Sequence, residues 1–229
     1  MQDHIIDVII PAYNEEESIR EVLNDIPEFV REVVVVNNNS TDGTPQVAIS
    51  AGATVLTEER QGYGSACLKG IAHIAGKEMP PHIVVFIDAD YSDHPEEMID
   101  LLEPIIADKV DMVIGSRAQG NREKGSMMPQ QVFGNWLATL LIRFFHGVNY
   151  TDLGPFRAIR FESLMALGMK DKDYGWTVEM QVKAAKNSLK FAEVPVSYRK
   201  RIGESKVSGT MKGTIMAGYK IITTIFKYL

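Results

Sequence analysis

The chain has 229 residues, enough for one large domain or two small ones. Its apolar fraction of 45% and charged fraction of 24% are those of a globular protein. A net charge of −6 argues against a nucleic-acid binder that depends on a broad basic surface, and a single cysteine, Cys67, excludes a disulfide framework or a cysteine zinc cluster.

The first half alternates short apolar runs with amphipathic stretches, the pattern of a parallel sheet with crossover helices. Asp7–Ile10 reads as a strand. Glu16–Phe29 reads as a helix, with Ile19, Val22, Leu23 and Ile26 on one face and Asn14 as its N-cap. Strands follow at Val33–Val36 and Thr54–Thr57, separated by a short helix over Thr44–Ser50. A helix over Gly64–Ala75 precedes the strand Ile83–Ile87. Pro95–Ala107 reads as a helix and Asp111–Ile114 as a strand.

The second half is less regular. Arg117–Pro129 reads as a mobile loop and Gln130–Phe145 as a long apolar helix. Arg157–Phe161 is a candidate strand, Glu162–Leu167 and Thr177–Asn187 are helices, and Ala192–Tyr198 is a strand. Arg199–Gly209 is a basic loop and Thr210–Leu229 a final helix. The expected organisation is one α/β domain in two continuous halves. Residues 1–116 read as a nucleotide-binding half, and 117–229 as an acceptor half.

The most informative feature is where the fourth strand ends. Ile83-Val-Val-Phe-Ile-Asp88-Ala-Asp90 is an apolar run closed by two carboxylates one residue apart. A buried strand excludes charge, so two acids where it surfaces need a compensating partner. Ligands of α/β sheets bind at the carboxyl ends of strands. Oxygen ligands suit Mg²⁺ or Mn²⁺, which also hold substrate phosphates. The plainer alternative is that Asp90 caps the next helix and Asp88 merely ends a strand.

Three more loops lie at strand ends. Pro11-Ala-Tyr-Asn-Glu15 follows the first strand and offers backbone amides and a helix start. Asn37-Asn-Asn-Ser-Thr-Asp-Gly-Thr44 follows the second; its Asp42 could accept a hydrogen bond from a base, or cap the helix that follows. Arg60-Gln-Gly-Tyr-Gly-Ser65 holds glycines that would let backbone approach a ligand closely. No G-x-G-x-x-G follows a strand, and no phosphate loop of the G-x-x-x-x-G-K-[ST] type occurs.

These motifs, in this order and separation, resemble glycosyltransferase family 2, the inverting sugar transferases with a GT-A fold. Within it, Asp88–Glu97 and Arg199–Lys206 are most similar to the polyprenyl- and dolichyl-phosphate hexosyltransferases. The resemblance implies a Rossmann-like, mostly parallel sheet flanked by helices in a single domain. It implies that Pro11, Ala12, Tyr13 and Glu15 line the nucleoside pocket, that Asp42 meets the base, and that Gly62 and Ala89 lie against the donor. Asp88 would face sugar or ribose, Asp90 would be the main metal ligand, and Ser92 could also reach the metal. Arg117 would meet phosphate, and Arg201, Ser205 and Lys206 would bind diphosphate or acceptor phosphate. Asp152 and Glu179 are the acids that could act on the acceptor; with a phosphate acceptor they would orient rather than deprotonate, because a phosphate already carries a nucleophilic oxyanion.

The function this implies is metal-dependent transfer of a hexose from UDP-glucose or GDP-mannose to a polyprenyl or dolichyl phosphate. A family 2 enzyme with a soluble or saccharide hydroxyl acceptor is the first alternative. A haloacid-dehalogenase-like phosphatase is a remote one, because its Asp-x-Asp normally closes the first strand. The absence of a signal-like start and of an 18-residue apolar run leads to a cytoplasmic expectation. Gly213–Leu229 reads equally as a helix lying on a membrane face with its lysines snorkelling, and as one docked on the domain or on a second subunit. No nucleic-acid partner is expected.

Overall fold

The structure is a computed structural model that describes residues 4–203 and 211–228. Seven strands form one sheet: β1 (Ile6–Ala12), β2 (Glu32–Asn37), β3 (Thr54–Thr57), β4 (Ile83–Phe86), β5 (Met112–Ser116), β6 (Arg157–Arg160) and β7 (Phe191–Pro195). Their order is β3-β2-β1-β4-β6-β5-β7. Strands β3, β2, β1 and β4 are parallel, β6 runs antiparallel between β4 and β5, and β7 is parallel to β5. The eight helices described are α1 (Ile19–Asp25), α2 (Thr44–Ser50), α3 (Tyr63–Ala75), α4 (Met98–Ile106), α5 (Pro129–His146), α6 (Phe161–Leu167), α7 (Trp176–Lys186) and α8 (Met211–Lys227).

Both sheet faces are covered, which is why the central strands read as continuous apolar runs. In β1, Ile6, Val8 and Ile10 point to one core, packed with α1 and α4 residues such as Val22 and Leu101. Ile9 points to the other, with α3, α5 and α7 residues such as Ile74, Ile142 and Trp176. Strands β2 and β4 flank β1 and are reached in opposite directions along the sheet. The chain therefore has a switch point at the carboxyl end of β1, where open α/β sheets bind ligands.

Several boundaries differ from expectation. Helix α1 begins at Ile19, with Ser18 rather than Asn14 at its N-cap. Asn14 has φ +54° and bridges to the next loop: its amide donates to Ser40 Oγ at 3.0 Å and its Oδ1 accepts from Thr41 N at 2.8 Å. Pro95–Glu97 forms a 3-10 turn before α4, and β7 stops at Pro195, short of Tyr198. Helix α5 buries only Ala138, Thr139 and Ile142, so its long apolar sequence is largely not core.

Candidate active site

The loops after β1, β2 and β4 converge at the carboxyl edge of the sheet. The β1 loop is built by hydrogen bonds rather than by glycine. Glu15 N donates to Thr44 Oγ1 at 2.9 Å, and Glu16 N to Asp42 Oδ2 at 3.3 Å. Asp42 Oδ1 accepts the Thr44 amide at 3.0 Å and also its hydroxyl. Burial pushes the Asp42 carboxyl up, but the Thr44 hydrogen bonds outweigh it and hold it below the usual carboxylate range. Both Asp42 oxygens thus shape the β1 and β2 loops. Pro11, Ala12 and Tyr13 line the same edge, with Ala12 buried.

The acid pair lies beside them. Asp90 is 8% exposed. Its Oδ1 accepts the Ser92 amide at 2.9 Å and the Ser92 hydroxyl at 2.6 Å; its Oδ2 is 3.1 Å from Arg201 Nη1. Arg201 Nη2 lies 2.6 Å from Glu15 Oε1, so one guanidinium ties the β4 loop to the β1 loop. The Asp90 carbonyl also accepts from Ile202 N at 3.0 Å. Asp88 Oδ1 accepts from Tyr63 Oη at 3.0 Å. Burial first, and the neighbouring Asp90 charge second, push the Asp88 carboxyl up to about 7.

Among the described residues, no three His, Cys, Asp or Glu side chains come together to hold an ion. The donors present are the carboxylates of Asp88 and Asp90, and the Ser92 hydroxyl that orients Asp90. Such a partial all-oxygen set fits a hard cation that completes its shell with substrate phosphate and water. It does not fit a dedicated protein cage.

Arg117, at the end of β5, is 9% exposed. Its amide and Nε donate to Asp152 Oδ2 at 2.7 and 2.8 Å, and its Nη2 to Oδ1 at 2.7 Å. Burial alone would raise the Asp152 carboxyl, but the paired Arg117 charge holds it below its ordinary value. Asp152 is therefore an anchored counter-ion, poorly suited to accept a proton. Glu179 is not brought to this edge. It is wholly buried in α7 and accepts from Lys170 N, Asp171 N at 2.6 Å and Tyr228 Oη, with Lys183 Nζ at 2.8 Å. It organises the 168–175 loop. Gly62 also has an internal reason: a Cβ there would lie 2.1 Å from the Lys172 carbonyl oxygen, so the backbone that approaches it is the chain's own. Ala89 is buried between the two acids. Ser205 and Lys206 lie outside the described residues.

Four further residues shape the site. Tyr63 orients Asp88. Arg199 stacks on the Tyr91 ring at 3.4 Å, and its Nε and Nη2 donate to the carbonyls of Tyr91 and Asp93 at 2.8 and 3.1 Å. It clamps a turn in the loop after β4, in which Tyr91 adopts φ +62°. Tyr198 packs under Arg117 at 5.0 Å. Asp93 is 2% exposed, and neither of its carboxylate oxygens has a hydrogen-bond partner; burial, then Asp88, push it well above the carboxylate range. Of these, Tyr63 lies within the Arg60–Ser65 motif, Arg199 opens the basic loop, and Asp93 is a third acid in the run 88–93; Tyr198 carries no local signal.

The sequence model of the family described as "Glycosyl transferase family 2" matches residues 7–168. The chain belongs to that family. This glycosyltransferase is 37% identical over 220 residues to an uncharacterised glycosyltransferase of Mycobacterium tuberculosis (strain ATCC 25618 / H37Rv), covering 95% of this chain and 96% of the relative. It is 33% identical over 218 residues to an undecaprenyl-phosphate mannosyltransferase of Micrococcus luteus, covering 90% and 88%. Its fold matches glucosyl-3-phosphoglycerate synthase of Mycobacterium tuberculosis, solved with Mn²⁺, uridine-diphosphate-glucose and phosphoglyceric acid. That match has a TM-score of 0.77 and 23% identity, covering 99% of this chain and 80% of that one. The glycosyltransferase thus has the GT-A architecture that the motifs imply.

Proposed function

We propose that this glycosyltransferase moves a hexose, with inversion, from a nucleoside diphosphate sugar to a polyprenyl phosphate. The donor would be UDP-glucose or GDP-mannose. The observation that carries the donor half is the set Asp88, Asp90, Glu15 and Arg201 at one sheet edge: three acids beside a guanidinium, where a metal diphosphate needs both signs of charge. The likeness to an undecaprenyl-phosphate mannosyltransferase supports the acceptor half.

Asp90 and Asp88, with Ser92 behind Asp90, would hold Mg²⁺ or Mn²⁺, which supplies charge stabilisation to the departing nucleoside diphosphate. Arg201 would turn from Asp90 and Glu15 to the diphosphate. Arg117, fixed by Asp152, would face the acceptor phosphate. An oxygen of that phosphate attacks the anomeric carbon as the bond to the diphosphate breaks, and the electron pair leaves with the nucleotide. No general base is required, which agrees with an Asp152 held ionised and paired by Arg117. Residues 1–116 would form the donor half and 117–229 the acceptor half. The C-terminal helix would face a membrane or a second subunit, with the enzyme peripheral on the cytoplasmic face.

Transfer from radiolabelled UDP-glucose and GDP-mannose, followed by partition into organic solvent, tests this reading. Label should enter the organic phase only when polyprenyl phosphate and a divalent cation are present. Label that stays aqueous with every lipid phosphate, but enters a sugar product, would favour the hydroxyl-acceptor alternative.

A further inference from the structure

We propose that the outer face of α5, continued by α8, docks this enzyme on an anionic lipid bilayer; the inference rests on the lipid-phosphate reading. Phe133, Trp136, Leu140 and Phe144 occur at i, i+3, i+7 and i+11, which places them within an arc of about 80° on a helix advancing 100° per residue. Three of them are 61%, 55% and 78% exposed (Phe133, Trp136 and Phe144). The residues that α5 buries, Ala138, Thr139 and Ile142, fall on the opposite side. Phe144 meets Phe145 at 4.9 Å, and Phe145 meets the half-exposed Phe226 of α8 at 5.2 Å, so the apolar surface runs across both helices. Contiguous exposed apolar surface of this kind marks an interaction face.

Charge decides the occupant. At the chain's average of 30 acids in 229 residues, helices of 18 and 17 residues would carry between four and five. They carry none. Arg143 lies at the margin of the α5 stripe and is exposed, as is Lys227 at the end of α8. Such a face, aromatic and positive only, suits an anionic lipid surface. It suits a second copy poorly, because a two-fold interface would set the patch against itself, cation to cation with no acid to answer.

Position links this face to the reaction. Asn135, on the inner side of α5, donates to the Thr151 carbonyl at 3.0 Å and accepts from Leu153 N at 2.8 Å. Those residues flank Asp152, which fixes Arg117. A phosphate whose tail stays in the bilayer would therefore arrive beside the phosphate-facing arginine. No helix among the described residues is long and apolar enough to cross a membrane.

The test uses the full chain and vesicles of phosphatidylcholine, with or without phosphatidylglycerol, and no polyprenyl phosphate. Trp176 is 1% exposed, so a blue shift of tryptophan emission on adding vesicles reports Trp136. The wild type should co-sediment with phosphatidylglycerol vesicles and shift blue. Phe133→Gln with Trp136→Gln should weaken partitioning roughly tenfold or more, and Arg143→Gln about fivefold. Both variants should keep the wild-type melting temperature. In detergent, the double variant should transfer label to polyprenyl phosphate at the wild-type rate. Absence of binding to either vesicle overturns the proposal, as does a dimer in sedimentation equilibrium that Trp136→Gln dissociates. Vesicle binding without any transfer to polyprenyl phosphate would leave the docking face standing and remove the acceptor reading.

Discussion

Replacing Asp152 by Asn separates an anchoring role from a catalytic one. Asp152 is 1% exposed and receives three donors from Arg117, whose own side chain is almost fully covered. Asn keeps the shape but removes the countercharge and turns one acceptor oxygen into a donor facing the guanidinium. Stripping one partner from a buried ion pair costs about 3–5 kcal/mol. Asp93 lies close enough to act electrostatically on Arg117 and, protonated in the wild type, would ionise to take over part of the compensation, so the lower end, about 3 kcal/mol, is expected. For a chain of this size that is a fall in melting temperature of roughly 6–12 °C. Urea unfolding followed by far-UV circular dichroism measures it. The double variant Arg117→Met, Asp152→Leu should lose less stability than Asp152→Asn alone, because no charge is then left unpaired. If Asp152→Asn unfolds with the wild type yet turns over no substrate, Asp152 is a base rather than an anchor and the reasoning fails.

Two other outcomes follow from the same geometry. Asp88 is held near 7 when folded, against an ordinary 3.8, so the folded state binds its proton more tightly than the unfolded one. Stability is then present at the acid side of that window and is lost as pH rises through about 7; the loss between about pH 6 and about pH 8 is at most ~1.4 kcal/mol. Asp88→Asn should remove this part of the slope, seen in chemical unfolding across that range with EDTA present; an identical slope in the variant would count against it. Gly62→Ala should cost roughly 2–3 kcal/mol, because its Cβ meets the Lys172 carbonyl oxygen at φ +146°. Gly52→Ala, also at positive φ but with nothing within 4 Å, should cost about 1 kcal/mol. Equal losses at the two glycines, by thermal unfolding, would mean that the close approach of the 170–173 segment is not what demands glycine.

The cluster of loops at the carboxyl edge of the sheet was legible in the sequence because its signals are local. A β-branched run ended by Asp88-Ala-Asp90 states both a buried strand and a charged exit. The loops at 11–15 and 37–44 follow similar runs. What stayed hidden depends on contacts between distant residues. Arg201 and Glu15 are 186 positions apart, and Arg117 and Asp152 are 35 apart. No local pattern pairs them. Four residues, Arg157–Arg160, cannot announce that β6 runs antiparallel between β4 and β5. Glu179 looked like a reactive acid because an acid in a helix's first turn near a Gly-Trp pair reads the same whether it faces a substrate or two backbone amides. Gly62 looked like a ligand contact, although the neighbour that requires it is Lys172. Helix α5 read only as a long apolar helix, because an apolar stripe on a helix looks alike whether it meets protein or another apolar phase.

The central claim is that Asp90 brings a divalent cation and a nucleoside diphosphate sugar together at the switch point of the sheet. Thermal unfolding of the wild type and Asp90→Ala, with UDP- and GDP-sugars and with Mn²⁺ or EDTA, tests it most directly. At ligand about a hundredfold above its dissociation constant, binding adds about 2.7 kcal/mol, a rise of roughly 5–10 °C. The account predicts that rise for wild type with one class of nucleotide sugar and Mn²⁺ together, and none for Asp90→Ala. A full rise in the variant, or the same rise in EDTA, would contradict it.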